Sequence, residues 1–118
     1  MNPARLVQIF AASITLSAAV TACSGGGGSQ VDCKAITVPK YAEMTAWAKC
    51  TSCHSTTLNG PSRAGAPADI NFDKYDDAVM DADLARSEVE MGAMPPGGGL
   101  SADEKAQIVD WASCDTPQ

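Results

Sequence analysis

Apolar positions recur at helical spacing in three stretches of this chain, and nowhere do they alternate in the manner of a strand. Tyr41, Met44 and Ala48 stand at i, i+3 and i+7 with Trp47 beside them, which predicts an amphipathic helix over residues 40–51. Residues 73–91 return to helical composition. Tyr75 and Val79 form one patch there, and Ala82, Ala85 and Val89 repeat at i, i+3 and i+7 before Gly92 marks a stop. Ser101 followed by Glu104 is a capping-box signature, and the helix it opens is predicted to run to about Ser113, with Ala106, Ile108, Val109 and Trp111 as apolar surface. Between the first two helical stretches, Ser55 to Ile70 is a long irregular run rich in Gly, Pro, Ser and Ala. The expected class is all-α.

One further apolar run lies near the N-terminus. Arg5 leads into Leu6–Val20, which closes on small residues, the pattern of an export signal. From Leu6 to Ala22 is only 17 residues, interrupted by Gln8, Ser13, Thr15, Ser17 and Thr21, whereas a membrane span needs about 20 mostly apolar residues. Val20-Thr21-Ala22-Cys23 resembles a bacterial lipobox. That resemblance implies cleavage before Cys23, a thioether-linked diacylglycerol on its sulfur, and a lipid anchor on the periplasmic side of a bacterial membrane. Ser24-Gly25-Gly26-Gly27-Gly28-Ser29 then reads as a flexible tether. The expected organisation is a signal at 1–22, a lipidated cysteine and tether at 23–32, and one folded domain at 33–118.

The 118 residues carry a net charge of −6, and loss of Arg5 with the signal would leave 7 basic and 14 acidic side chains, net −7. Such a balance argues against nucleic acid, which demands a basic face, and fits docking to a partner with a basic patch. Six aromatic residues are a thin supply for a free-standing core. A domain this small is expected to lean on a disulfide, a metal or a cofactor.

The cysteines suggest which. Cys50-Thr51-Ser52-Cys53-His54 has the C-x-x-C-H spacing of c-type haem attachment. Residues three apart near a helix end share a face, so both sulfurs can reach the vinyl groups of one porphyrin while His54 falls under the iron. A thioredoxin-like redox pair would need a βαβ context, and a zinc site a second ligand pair; His54 is the sole histidine. Cys33 and Cys114 remain, one at each end of the domain. In an exported protein this even remainder suggests a disulfide, the alternative being two unpaired buried cysteines. For a distal iron ligand there are Met80, Met91 and Met94. Met80 reads as core filling, and Met94 stands in Met94-Pro95-Pro96-Gly97, a loop stiffened by two prolines. Met91 is the alternative ligand.

Taken together, residues 34–114 resemble a class I c-type cytochrome. The pieces are a helix ending in Cys50-Thr51-Ser52-Cys53-His54, a wrap loop, Met94-Pro95-Pro96 and a final helix carrying Trp111. The resemblance implies a small cytochrome c-like fold of about three to five helices around one covalent haem c, with His54 and Met94 as axial ligands. It implies packing of the first helix on the last through Trp47 and Trp111, with Trp111 also contacting the haem. It also implies a wrap-loop carbonyl accepting the Nδ1–H of His54; Pro67 lies at about the right distance, with Pro61 as rival. Arg63 would then pair with a haem propionate, unless it is a solvated loop arginine. The function implied is one-electron transfer between redox partners, with no catalytic residue. A haem enzyme or gas sensor with a labile sixth ligand, and a haem subunit of a larger oxidoreductase, are the alternatives.

Overall fold

Four helices occur among residues 29–118, which are those described by the computed structural model: α1 (Trp47–Cys50), α2 (Tyr75–Met80), α3 (Ala82–Glu90) and α4 (Ala102–Ser113). Short 3-10 turns at Tyr41–Glu43 and Gly60–Arg63 complete the order, and no strand occurs among the described residues. The domain is all-α. None of its helices is long and apolar enough to cross a membrane. The export signal, Cys23 and the glycine run of the tether lie outside the described residues.

The capping box forms as the sequence requires. The Ser101 hydroxyl accepts from the Glu104 N–H at 3.1 Å, and the Glu104 carboxylate accepts from the Ser101 N–H at 2.8 Å. Two of the four orphan donors at the start of α4 are thereby satisfied. Ile108 and Trp111 are fully buried along this helix, whereas Ala106, on the opposite side, is exposed. Helix α3 packs along α4 through its buried stripe of Ala82, Ala85 and Val89, and Gly92 ends the segment with φ at +72°, a conformation that glycine adopts at no steric cost.

Two sequence expectations are corrected here. The helix over 40–51 is broken: after the turn at Tyr41–Glu43, Met44 is extended (φ −78°, ψ 112°) and only Trp47–Cys50 is α-helical. Tertiary acceptors replace the helical ladder. The Gln107 side-chain oxygen accepts from the Ala46 N–H at 3.1 Å, and Pro117 O accepts from the Tyr41 N–H at 2.8 Å. A continuous helix would turn Ala48 inward, but Ala46 and Trp47 are buried instead and Ala48 is exposed. The second correction is Met80, which is 75% exposed at the end of α2 and fills no core. The helix expected over 73–91 exists but divides at Asp81 (φ −104°, ψ 13°).

All five aromatic side chains of the described residues belong to one cluster. Trp47 stacks on Phe72 (centroids 5.3 Å, planes 7° apart) and meets Trp111 edge-on (5.3 Å, 86°); Tyr41 touches Trp47, Tyr75 and Trp111. The Trp47–Trp111 contact implied by the family resemblance is therefore present.

The run from Ser55 to Ile70 is irregular, as expected, except for the turn at Gly60–Arg63. That turn delivers Arg63 to the interior, where it is 4% exposed. Its Nε donates to Ala66 O (3.2 Å), Nη1 to Ser55 O (2.7 Å) and Asn71 Oδ1 (3.0 Å), and Nη2 to Ile70 O (2.9 Å) and Pro67 O. All five guanidinium donors are used within the loop and its exit.

Cys33 and Cys114 form a disulfide joining the two ends of the domain across a sequence separation of 81. Chain-entropy arguments give about 4.5 kcal/mol for closing a loop of this size, with natural bridges often delivering less. The Cys33→Ser/Cys114→Ser chain is expected to lose about 2–4 kcal/mol of unfolding free energy. A denaturant titration checks this, and an unchanged midpoint would show that the bridge is dispensable.

Candidate functional site

Helix α1 ends at Cys50, but its last carbonyl remains in use. Cys50 O accepts from the N–H groups of Cys53 (3.1 Å) and His54 (2.9 Å), so the chain makes another turn and keeps Cys50, Cys53 and His54 on one side. All three line a cavity of about 380 Å³, bounded on other sides by Leu84 and Val89 of α3, by Ile108 of α4 and by Met94. Both cysteines are free thiols, half-buried. Burial, reinforced by the Glu104 carboxylate, pushes the Cys50 thiol up to about 11, so at neutral pH it is protonated.

His54 is the most firmly held of the four. It is 9% exposed, meets the Phe72 ring edge-on (5.4 Å, 62°), and accepts at its carbonyl from the Phe72 N–H at 2.9 Å. Its Nδ1 lies 3.1 Å from Ile70 O. A carbonyl oxygen only accepts, so Nδ1 carries the proton, and a neutral ring then has its lone pair at Nε2. On the far side, Glu88 O accepts from the N–H groups of Ala93 (2.9 Å) and Met94 (3.2 Å), which clamps the Met94 loop to the end of α3. The Met94–Pro95 peptide is cis. Met94 lines the cavity and is 37% exposed, whereas Met91 (68% exposed) and Met80 do not line it. Of the three methionines, the structure brings Met94 to the site.

Four residues take other places than the sequence suggested. The His54 Nδ1 bond goes to Ile70 O, not to Pro67 or Pro61; Pro67 O accepts from Arg63, and Pro61 O from the Ala64 N–H at 3.1 Å. Arg63 lines the cavity but is neither solvated nor free to bind a carboxylate, because its five donors are taken. Trp111 does not line the cavity. Its Nε1–H donates to Pro117 O at 2.9 Å, and Ile108, one turn earlier on α4, stands at the cavity wall instead. The residues that sequence reasoning missed are Ile70, Asn71 and Phe72. The sequence feature that could have found Ile70 and Asn71 is Arg63, the one cation between Ser55 and Ile70, whose donors need acceptors.

The arrangement offers two unbridged thiols for covalent attachment, one imidazole lone pair and one thioether, all on one mostly apolar cavity. Among the described residues, no group of three or more His, Cys, Asp or Glu side chains is placed to hold a metal ion alone. A metal here would need its remaining coordination from the group that carries it.

Just beyond His54, the Thr56 N–H and hydroxyl donate to the two carboxylate oxygens of Asp73 at 2.8 and 2.7 Å. Burial acts to raise the Asp73 carboxyl, but these bonds, with help from Ser55 and its own backbone, outweigh it and hold the group below its ordinary value. A depressed folded-state value means that the stabilisation is present above the usual carboxylate range and is lost as pH falls through the folded value. Asp73→Ala is expected to cost about 1 kcal/mol at neutral pH and less in strong acid. Urea midpoints from pH 7 to pH 2 check this, and a pH-independent cost would remove the carboxylate from the account.

No protein-family model, curated protein or solved structure matches this chain.

Proposed function

We propose that this protein is a one-electron carrier with a single covalently bound haem c, tethered by lipid at Cys23 outside the cytoplasm and passing electrons between redox partners. The observation that carries the reading is the convergence of Cys50, Cys53, His54 and Met94 on one cavity, while Cys33 and Cys114 are occupied with each other. The two free thiols would add across two vinyl groups, S–H across C=C, with no leaving group and no oxidant. His54, with Nδ1 tied to Ile70 O, would hold the iron through Nε2, and Met94 would hold it through its thioether. The bound haem supplies an iron that changes valence by one electron.

What the chain itself does is hold that group and keep it still. Leu84, Val89, Ile108 and Phe72 give an apolar surround, which raises the cost of the extra positive charge on the oxidised iron. Thioether ligation favours the reduced state in the same sense. With His54 and Met94 both holding the iron, no position on it would be left for substrate. Leu84 and Met94, both exposed and both at the cavity, leave one side of the site at the surface, where electrons can pass to a docked partner. The −6 charge of the chain favours partners with a basic face and encounter rates that fall as salt rises.

Full-length protein exported through a haem-attaching host is expected to keep its haem through denaturation and to give a low-spin spectrum unaffected by carbon monoxide. Cys50→Ala should lose most of the denaturation-resistant haem, scored by peroxidase staining of a denaturing gel. Met94→Ala should respond to carbon monoxide and show a lower potential. Colourless wild-type protein, or wild type that binds carbon monoxide readily, would overturn the reading.

A further inference from the structure

The carbonyl oxygen of Ile70 serves two donors at once, His54 Nδ1 at 3.1 Å and Arg63 Nη2 at 2.9 Å. One is the orienting bond of the histidine; the other comes from a permanently charged guanidinium that is 4% exposed. Every acceptor of that guanidinium is neutral: four backbone carbonyls and the side-chain oxygen of Asn71. A buried cation without a carboxylate against it keeps its field, and Arg63 lines the same cavity as His54.

We propose that Arg63 is a positioning residue that raises the reduction potential of the site, acting on His54 through the shared Ile70 carbonyl and through its uncompensated charge. This rests on the haem reading above. Two consequences of the geometry act in one direction. Two donors on a single acceptor oxygen compete for its electron density, so the guanidinium makes Ile70 O a weaker acceptor for the His54 Nδ1–H. A weaker bond there leaves the imidazole a poorer donor at Nε2. The less electron-rich ligand and the nearby positive charge both disfavour the state with one more positive charge on the iron. Reduction adds one electron, no bond is made or broken, and Arg63 keeps its proton throughout.

Asn71 provides a test that spares the loop. Asn71→Asp is close to isosteric, retains an oxygen for Arg63 Nη1 and sets a negative charge against the guanidinium, at the loss of the 3.0 Å bond from Asn71 Nδ2 to Ala68 O. Potentiometric titration of full-length, haem-loaded protein is expected to show Asn71→Asp shifted to lower potential by at least a tenfold change in the reduction equilibrium, about 59 mV for one electron. Arg63→Gln should shift the same way, and Arg63→Lys, which retains the charge, should lie closer to wild type than Arg63→Gln does. If Arg63→Gln fails to take up haem, Asn71→Asp decides alone. Asn71→Asp with its covalent haem, a low-spin spectrum and the wild-type potential would overturn the proposal while leaving the electron-carrier reading intact. Wild-type protein without covalent haem would overturn both.

Discussion

A helix or a sheet satisfies its own backbone polar groups, but a loop must find other donors for the carbonyls it turns inward. The segment from Ser55 to Ile70 has one short 3-10 turn and otherwise no ladder; it follows His54 directly and ends at Ile70 on the cavity wall. The carbonyls of Ser55, Ala66, Pro67 and Ile70 converge on Arg63, and each would carry a desolvation cost of about 1–3 kcal/mol if buried without a donor. A guanidinium meets them because its five N–H groups lie in one plane and diverge from one another. An ammonium has three donors and no such fan. The remaining geometry follows from this clamp: with Ile70 O fixed, the His54 ring has one orientation that satisfies Nδ1, and Phe72, two residues on, closes over its edge.

The second constraint is a shortage of large side chains. Five aromatic residues must serve a 90-residue span, and they are concentrated where the segment before the cysteines meets α4. The cost is visible at Trp47, whose ring N–H is buried with no acceptor among the described residues. Stacking on Phe72 and edge contact with Trp111 offset it, each worth about 0.5–1.5 kcal/mol beyond the area buried. The C-terminal residues finish the cluster with polar contacts. Pro117 O takes the Trp111 ring N–H and the Tyr41 N–H, and Thr116 O takes the Tyr75 hydroxyl at 2.9 Å. Those bonds explain why periodicity misjudged the first helix. The spacing of Tyr41, Met44 and Ala48 is helical, yet the donors at Tyr41 and Ala46 are engaged by groups sixty or more residues away.

Legibility followed the range of the interaction that decides each feature. The Ser101–Glu104 box, the stop at Gly92 and the buried stripe of α3 are settled by neighbours within a turn or two, and each could be read directly. So could the set Cys50, Cys53, His54 and Met94, because attachment chemistry fixes spacing, and a proline-stiffened loop marks itself. The orienting carbonyl could not be read, since a backbone oxygen leaves no trace in the residue type. Pro67 and Ile70 differ only in how the loop turns around Arg63. The exposure of Met80 was equally hidden: residue type favours burial of a helical methionine, but Asp81 interrupts the helix directly after it.

The two sides of the cavity are built to different standards. On the histidine side, a buried ring is fixed by a hydrogen bond to Ile70 O, by the edge of Phe72 and by a carbonyl bond to the Phe72 N–H. On the methionine side, an exposed thioether hangs from a loop fastened by two N–H bonds to Glu88 O. Few buried contacts and solvent-exposed hydrogen bonds are the marks of a segment that opens first. If the protein is the electron carrier proposed above, this asymmetry has a purpose. The histidine face would then set the electronic character of the site and have to stay fixed as the charge changes, whereas the methionine face lies beside the exposed Leu84, where a partner would approach. Any exchange of an axial ligand would begin at Met94, and the stiffness of Pro95 and Pro96 opposes it at the point where the clamp on the opposite face cannot.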